Sequence, residues 1–215
     1  MKAIIIGGGI GGLTTALALL DKGIDVEVYE QAPRPREIGA GLQIGANGSR
    51  VLTRLGLGPQ LKRLGAAMNA VRMFDLRTDR AIHALPADPR DASAEAMTAR
   101  YNGTFYQVHR PDLLGMLIDA VPEGVARLGE PVDFVDNDRG VIVNFESGHQ
   151  ACADLLIGAD GIHPMVRRQM LGDDDPDFSH IVAWRALVPR ERVADLNLAR
   201  DCYVWLAPGR SAVAY

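Results

Sequence analysis

Apolar and polar positions along this chain alternate between two textures. Ala3 to Ile6 is a short β-branched run with no polar face, the pattern of a strand buried on both sides. Glycines crowd positions 7 to 12. Leu13 to Lys22, rich in Ala and Leu, then predicts a helix, with Gly23 placed to close it in a left-handed conformation. Ile24 to Tyr29 reads as a second strand, ended by Glu30, so the first 30 residues predict the strand–helix–strand unit from which parallel sheets are built. A glycine-rich irregular stretch follows Pro33 and Pro35, up to a helix around Ser49 to Leu55. From Val71 to Val108 the pattern changes to short alternating segments, Val71–Leu76 and Thr104–Val108 among them, which predict antiparallel strands. Asp88 to Thr98 is polar and reads as a surface loop between them. Arg110 to Val121 predicts a helix with Pro111 in its first turn. Val132–Val135 and Val141–Phe145 predict a hairpin around residues 137–140. Asp154–Ile157 predicts another buried strand, a helix runs through Leu171, and the chain from Phe178 onward is strand-like again.

The turn between the first strand and helix reads Gly7-x-Gly9-x-x-Gly12. In that setting the first glycine permits a tight turn, the second lets a pyrophosphate approach the backbone, and the third lets the helix pack close to the strand. The helix N-terminus offers unpaired N–H groups and a partial positive charge to phosphates. Glu30 stands 18 residues after Gly12 at the end of the second strand, where a carboxylate can accept hydrogen bonds from adenosine ribose hydroxyls. The same charge repels a 2′-phosphate, which makes NADP a poor ligand here. The motif predicts an adenine dinucleotide and leaves FAD and NAD both open.

Composition narrows the partners. A net charge of −4, with basic residues spread along the chain, gives no basic stripe for nucleic acid. Two cysteines, Cys152 and Cys202, supply neither a disulfide framework nor metal spacing, and a reducing cytoplasm fits them best. His83, His109, His149, His163 and His180 also lack metal-ligand spacing, so no metal is expected. No apolar run is long enough to predict a membrane span. The glycines at 7, 8, 9, 11 and 12 interrupt the N-terminal apolar run too early for a signal core.

Asp154-Leu155-Leu156-Ile157-Gly158-Ala159-Asp160-Gly161, followed by Ile162-His163-Pro164-Met165-Val166-Arg167, makes a more specific signal. It resembles the single-component flavoprotein hydroxylases that act on p-hydroxybenzoate, salicylate and 6-hydroxynicotinate. The segment Glu37 to Asn47 is similar to the glycine-rich stretch that lies against the flavin in that family, with Ala46 in place of a proline. His109-Arg110-Pro111-Asp112-Leu113 resembles its HRxxL segment, and Trp184 to Pro189 resembles the start of its substrate-covering sheet. The resemblance implies FAD as cofactor, with Gly7, Gly9, Gly12 and Glu30 at the adenosine end and Arg110 and Asp160 at the middle. It implies an α/β fold: a Rossmann-like FAD-binding parallel sheet (residues 1–70 and 108–175) with an interleaved, mainly antiparallel substrate layer (71–107 and 176–215), the whole incomplete. The implied reaction takes NAD(P)H and O2 and hydroxylates a small, phenol-like aromatic molecule. A homodimer is the expected assembly of a full-length chain.

Two departures mark the end of the chain. The family's Gly-Asp-Ala-Ala-His motif is missing, Gly172-Asp173 running instead into an acidic turn, and family members reach nearly twice this length. Ser211 stands where the family often has histidine, while Tyr215 keeps its place as the expected substrate contact and Cys202 keeps the spacing of 6-hydroxynicotinate hydroxylases. Alternation puts Ser211, Val213 and Tyr215 on one strand face. Two other readings stay open: a flavoenzyme of the same fold such as an epoxidase or halogenase, and a non-catalytic flavin-binding fragment. Sheets cut in mid-course expose apolar faces and unpaired edges, so the 215 residues are expected to be part of a longer polypeptide, or a shortened product completed by another chain. A verified 215-residue product is therefore expected to hold FAD weakly and to turn over no substrate. Flavin absorbance co-purifying stoichiometrically with it would contradict this.

Overall fold

The computed structural model describes residues 1–33, 41–136, 140–162, 164–172 and 176–215. In chain order the elements begin with β1 (Lys2–Ile6), α1 (Ile10–Leu20), β2 (Asp25–Glu30), β3 (Gly41–Ile44), α2 (Ala46–Arg54), α3 (Gly58–Leu64) and β4 (Ala66–Ala67). There follow β5 (Ala70–Asp75), β6 (Ala81–Leu85), α4 (Ala94–Tyr101), β7 (Tyr106–His109), α5 (Arg110–Ala120) and β8 (Ala126–Leu128). The last are β9 (Val132–Asp136), β10 (Val141–Phe145), β11 (Gln150–Ala153), β12 (Leu155–Gly158), α6 (Met165–Leu171), β13 (Asp201–Ala207) and β14 (Arg210–Ala214). They form two compact units, residues 1–38 with 113–183 and residues 39–112 with 184–215. Residues 41–70, grouped by sequence with the dinucleotide part, fall in the second unit.

The first unit holds an all-parallel sheet in the order β12-β1-β2-β8. The central strand β1 has both edges paired, and its side chains are buried because α1 and the β9–β11 sheet cover the faces to which they point. Ile4 and Ile5 are fully buried, each contributing about 1.5–3 kcal/mol of transfer free energy. α1 buries Gly12, Leu13 and Ala16, a helical spacing, and Gly23 beyond it takes a positive φ of 71°. Behind the parallel sheet, the expected hairpin forms as β9 and β10 with β11 added, all antiparallel; residues 137–139 of its turn lie outside the described residues. Its Val135, Val143 and Phe145 pack with Ile4, Ile6, Tyr29 and Val166 in one core. Gln169 of α6 fixes the helix to β9: the Val135 amide donates to its Oε1 at 2.9 Å, and its own amide donates to the Val135 carbonyl. β12, expected to be buried, is half-exposed, because β1 flanks it on one edge alone among the described residues.

The second unit carries a four-stranded sheet, β14-β13-β5-β6, and a small antiparallel sheet, β3-β7-β4. The larger sheet is antiparallel except for β5 and β13, which run parallel with Arg72 opposite Tyr203. Asp201 is buried at the start of β13, and the Arg72 Nε donates to its Oδ2 at 2.5 Å. Phe74, Tyr203 and Trp205 lie side by side on the same face, near-parallel, with centroids 5.8–6.4 Å apart. Two expectations are corrected here. Residues 88–98 are not a loop: a short 3-10 turn (Pro89–Asp91) leads into α4. The Ser93 side chain accepts from the Ala96 amide at its start, and Asn102 closes it at φ 49°. Residues 176–200 form no strand but an exposed irregular stretch with a 3-10 segment at Arg190–Leu196, and Trp184 is 97% exposed. Alternation there goes unanswered because no neighbouring strand supplies the backbone partners a strand requires.

Tyr29 combines a core ring with an ionisable group. Its ring lies 4.4 Å from that of Phe145, tilted by 36°, and its hydroxyl donates to Glu27 Oε2 at 3.1 Å. Burial first, and then the Glu27 carboxylate, push its phenol up to about 12 from an ordinary 10.0. A pKa raised by folding means that the group's contribution to stability is intact below pH 10 and is lost as pH climbs toward 12. Urea-unfolding midpoints are expected to fall between pH 10 and 12 more steeply for the native chain than for Tyr29→Phe. Parallel pH profiles would contradict the assignment.

Candidate functional site

The turn after β1 is shaped by what presses on it. Gly7 has φ 113°, and its amide donates to the Tyr29 carbonyl at 2.7 Å. A Cβ at Gly7 would stand 2.3 Å from the Ala159 carbonyl oxygen, and one at Gly12 would stand 1.9 Å from the carbonyl oxygen of Gly7 itself. The Ala159 amide in turn donates to the Ile6 carbonyl at 2.7 Å. The two glycine-containing motifs, more than 140 residues apart in sequence, are thus in direct backbone contact. Gly9 behaves differently. It is the N-cap of α1 in extended conformation (φ −77°, ψ −176°), and a Cβ there would meet nothing within 4 Å. The protein itself does not require a glycine at that position; a close-lying ligand would.

Glu30 faces this turn. The Gly8 amide donates to its Oε2 at 2.7 Å and the Ala32 amide to its Oε1 at 2.9 Å, so both oxygens are fixed in place and keep lone pairs for further donors. Beside it lies a cavity of about 610 Å³ whose polar rim is Gly8, Gly9 and Glu30. Its walls are apolar, from Leu13, Val28, Leu114, Ile118 and Leu128 among others. A space of this size falls within the roughly 300–1,000 Å³ of small-molecule sites. The N-terminus of α1 has no side-chain cap and no acidic residue in its first turn, leaving its amides and dipole available to an anion. An apolar-walled chamber, a fixed carboxylate and an uncapped helix end fit an adenosine with its pyrophosphate. Sequence reading missed Gly8, whose Cβ would stand 2.8 Å from that of Glu30, and the wall from α5; the i, i+4 spacing of Leu114 and Ile118 was the available signal.

The second motif is explained residue by residue. Gly158 leaves room for Val166, whose Cβ would lie 3.0 Å from a Cβ at 158, and Gly161 takes φ 82°. Asp160 Oδ2 accepts from the Val166 amide at 3.1 Å and so holds the first turn of α6. The structure therefore brings Gly7, Gly9, Gly12, Glu30 and Asp160 together in the first unit, all but Gly9 held by packing or hydrogen bonds. Arg110 and Tyr215 belong to the second unit. Arg110 opens α5 directly after β7, and its neighbour His109 places Nδ1 3.5 Å from Asp112 Oδ1. Tyr215 follows β14, its hydroxyl donating to the Gly41 carbonyl. Cys202 is buried, which pushes its thiol pKa up, and accepts from Gln43 Nε2 at 2.8 Å. Glu37–Ala40, His163 and Asp173 lie outside the described residues. Among the described residues, no cluster of His, Cys, Asp or Glu could hold a metal, and no helix is long and apolar enough to cross a membrane.

The contrast between glycines gives a sharp expectation. Gly12→Ala must displace the turn and should cost about 1–3 kcal/mol of stability as well as cofactor binding. Gly9→Ala should cost well under 1 kcal/mol of stability, yet weaken FAD binding at least tenfold. Urea unfolding of the apo chain alongside flavin-fluorescence titration reads both. Equal FAD affinity in Gly9→Ala and the native chain would remove Gly9 from the site.

Comparison with known proteins agrees with this geometry. Across its whole length the chain is 34% identical to a 3-amino-4-hydroxybenzoate 2-monooxygenase of Streptomyces cremeus, covering 53% of that protein. It is 30% identical to a 6-hydroxynicotinate 3-monooxygenase of Pseudomonas fluorescens, again across its full length and covering 54% of the relative. Among solved structures, Klebsiella pneumoniae HpxO complexed with FAD and uric acid superposes with a TM-score of 0.77 at 26% identity, over 99% of this chain and 52% of that one. The chain thus spans about half the length of the curated relatives it matches. Residues 1–206 match the model of the FAD binding domain, and the chain belongs to this family of FAD-binding flavoproteins.

Proposed function

We propose that this chain is the FAD-holding portion, with part of the substrate layer, of an NAD(P)H-dependent monooxygenase that hydroxylates a small phenol-like aromatic molecule. The observation that carries the proposal is the joined pair of turns: Gly7 seated on Ala159, with the Glu30 carboxylate fixed over the adjoining cavity. The names of the relatives support the reaction class, both being monooxygenases of hydroxylated aromatic acids. In this reading residues 1–70 and 108–175 serve the cofactor, and 71–107 and 176–215 serve the substrate.

Each residue has a separate task. Backbone amides at Gly7–Gly12 and the α1 N-terminus hold the pyrophosphate, and Gly9 lets it approach. Glu30 accepts from the ribose hydroxyls, its orientation set in advance by Gly8 and Ala32, so little ordering is left to binding. Arg110 and Asp160 serve the middle of the cofactor, Asp160 while also holding α6. The bound flavin, once reduced by NADH or NADPH, supplies the activation of O2 and the delivery of one oxygen atom to the ring. Tyr215 contacts the substrate from the strand face that also carries Ser211 and Val213. Ser211 cannot remove a proton from a phenol near neutral pH without help, so the ring is activated by another group or enters already ionised. The full-length protein is proposed to be cytoplasmic and homodimeric and to act without nucleic acid.

In the natural polypeptide carrying these residues, a panel of hydroxybenzoates, hydroxypyridines and aminophenols is expected to contain a compound that stimulates NADH or NADPH oxidation at least tenfold. An equimolar hydroxylated product should form with it. Flavin binding with no stimulation by any member would favour a non-catalytic flavin protein. Stimulation with an epoxide or halogenated product would assign the fold to a different oxygen chemistry.

A further inference from the structure

The start of β3 is gripped from the neighbouring sheet at two successive positions on one strand face. The Tyr215 hydroxyl donates to the carbonyl of Gly41, 174 residues away in sequence. A Cβ at Gly41 would lie 2.6 Å from Cε2 of the Tyr215 ring and 3.2 Å from both its Cζ and its oxygen. Gly41 does not have positive φ, so its backbone needs no glycine; the ring of Tyr215 occupies the place of the side chain. Two residues on, and on the same face of β3, Gln43 Nε2 donates to the Cys202 Sγ at 2.8 Å. Tyr203 pairs with Ala214, so Tyr215 comes next to Cys202 across the β13–β14 ladder. The two contacts are therefore adjacent on one sheet and adjacent on β3.

We infer that Tyr215 and Cys202 are positioning residues that fasten the substrate-side strands to β3, with Gly41 kept as glycine to admit the tyrosine ring. Gly41 pairs with His109 on the last rung of β3–β7, immediately before Arg110. The fastening therefore sets the strand end beside His109, directly before Arg110, the residue proposed above to serve the cofactor. With its proton committed to a carbonyl, the Tyr215 oxygen offers a ligand lone pairs only. A ring hydroxyl or ring N–H must then be the donor in any contact with it. The effect on flavin rests on the FAD reading above; the fastening itself does not.

The test uses the natural polypeptide carrying these residues, with Tyr215→Phe, Tyr215→Ala, Gly41→Ala and the double variant Gly41→Ala/Tyr215→Ala. Unfolding of the apo protein and FAD titration, with the flavin absorption envelope recorded, are measured for each. Tyr215→Phe keeps the ring and loses one hydrogen bond, so FAD should bind roughly threefold to tenfold more weakly, with a changed flavin envelope. Gly41→Ala should be worse than Tyr215→Phe, and in the double variant its unfolding penalty should largely vanish, because the ring that it strikes is gone. Additive unfolding effects of Gly41→Ala and Tyr215→Ala would overturn the fastening. FAD affinity and envelope unchanged in Tyr215→Phe would overturn its role toward the cofactor. If the natural polypeptide without substitutions takes up no FAD, the cofactor reading fails, and the unfolding cycle still decides the fastening.

Discussion

A single close approach of backbone to backbone organises the first unit. At the end of β1 the chain turns with Gly7 at φ 113°, its α-carbon set against the carbonyl of Ala159. Any side chain at 7 would drive β1 and β12 apart where they are hydrogen-bonded in parallel register, Ile6 opposite Gly158. The absence of that side chain lets two loops share the C-terminal edge of the sheet. It also lets α1 start there, with Gly12 resting on the Gly7 carbonyl. The amide-lined mouth of the cavity follows from this packing, and ligands of parallel α/β sheets bind at this edge for the same reason.

From that point the chemistry is a matter of which polar groups are fixed before a ligand arrives. Glu30 is held by two amides, and Asp160 by the α6 terminus that it caps. Preorganised carboxylates lose little freedom on binding. The second unit achieves order differently. Arg72 supplies the buried Asp201 with a charged donor between two strands that run parallel, while the opposite face carries Cys202 with the residues that reach β3. A buried carboxylate whose Arg partner was removed would carry a penalty of about 3–5 kcal/mol, so the pair fixes the register of β13 against β5 firmly.

The first unit was largely legible in the sequence, and the second was not. β1, α1 and β2 declare themselves because a strand buried on both faces, a helix rich in Ala and Leu and a glycine turn leave one local solution. Glu30 could be placed by counting, since its distance from Gly12 is set by the length of α1 and β2. By contrast α4 hid behind polar composition: it buries one large side chain, Met97, and its evidence lay in the caps, Ser93 and Asn102. The stretch from Phe178 erred the other way. Ile181, Val182, Trp184, Leu187 and Val188 have the composition of a strand, but a strand is defined by its neighbour. The contacts of Tyr215 and Cys202 were beyond reach altogether, because they depend on which face of β14 meets which end of β3.

Glycines in unstrained backbone carry the sharpest information, since conformation does not account for them. Gly7 and Gly161 are explained by their dihedral angles, and Gly12 and Gly158 by the groups pressed against them. Gly9 and Gly41 are ordinary in conformation yet lack side chains for opposite reasons. At Gly41 the vacated space holds a tyrosine ring from elsewhere in the same unit; at Gly9 nothing within the protein comes within 4 Å. Gly9 has room for a methyl group, sits at the uncapped end of a helix and borders a cavity rimmed by a fixed carboxylate, the setting on which the proposed phosphate contact rests. Under that proposal, glycine is needed there so that a phosphate can lie close on the backbone.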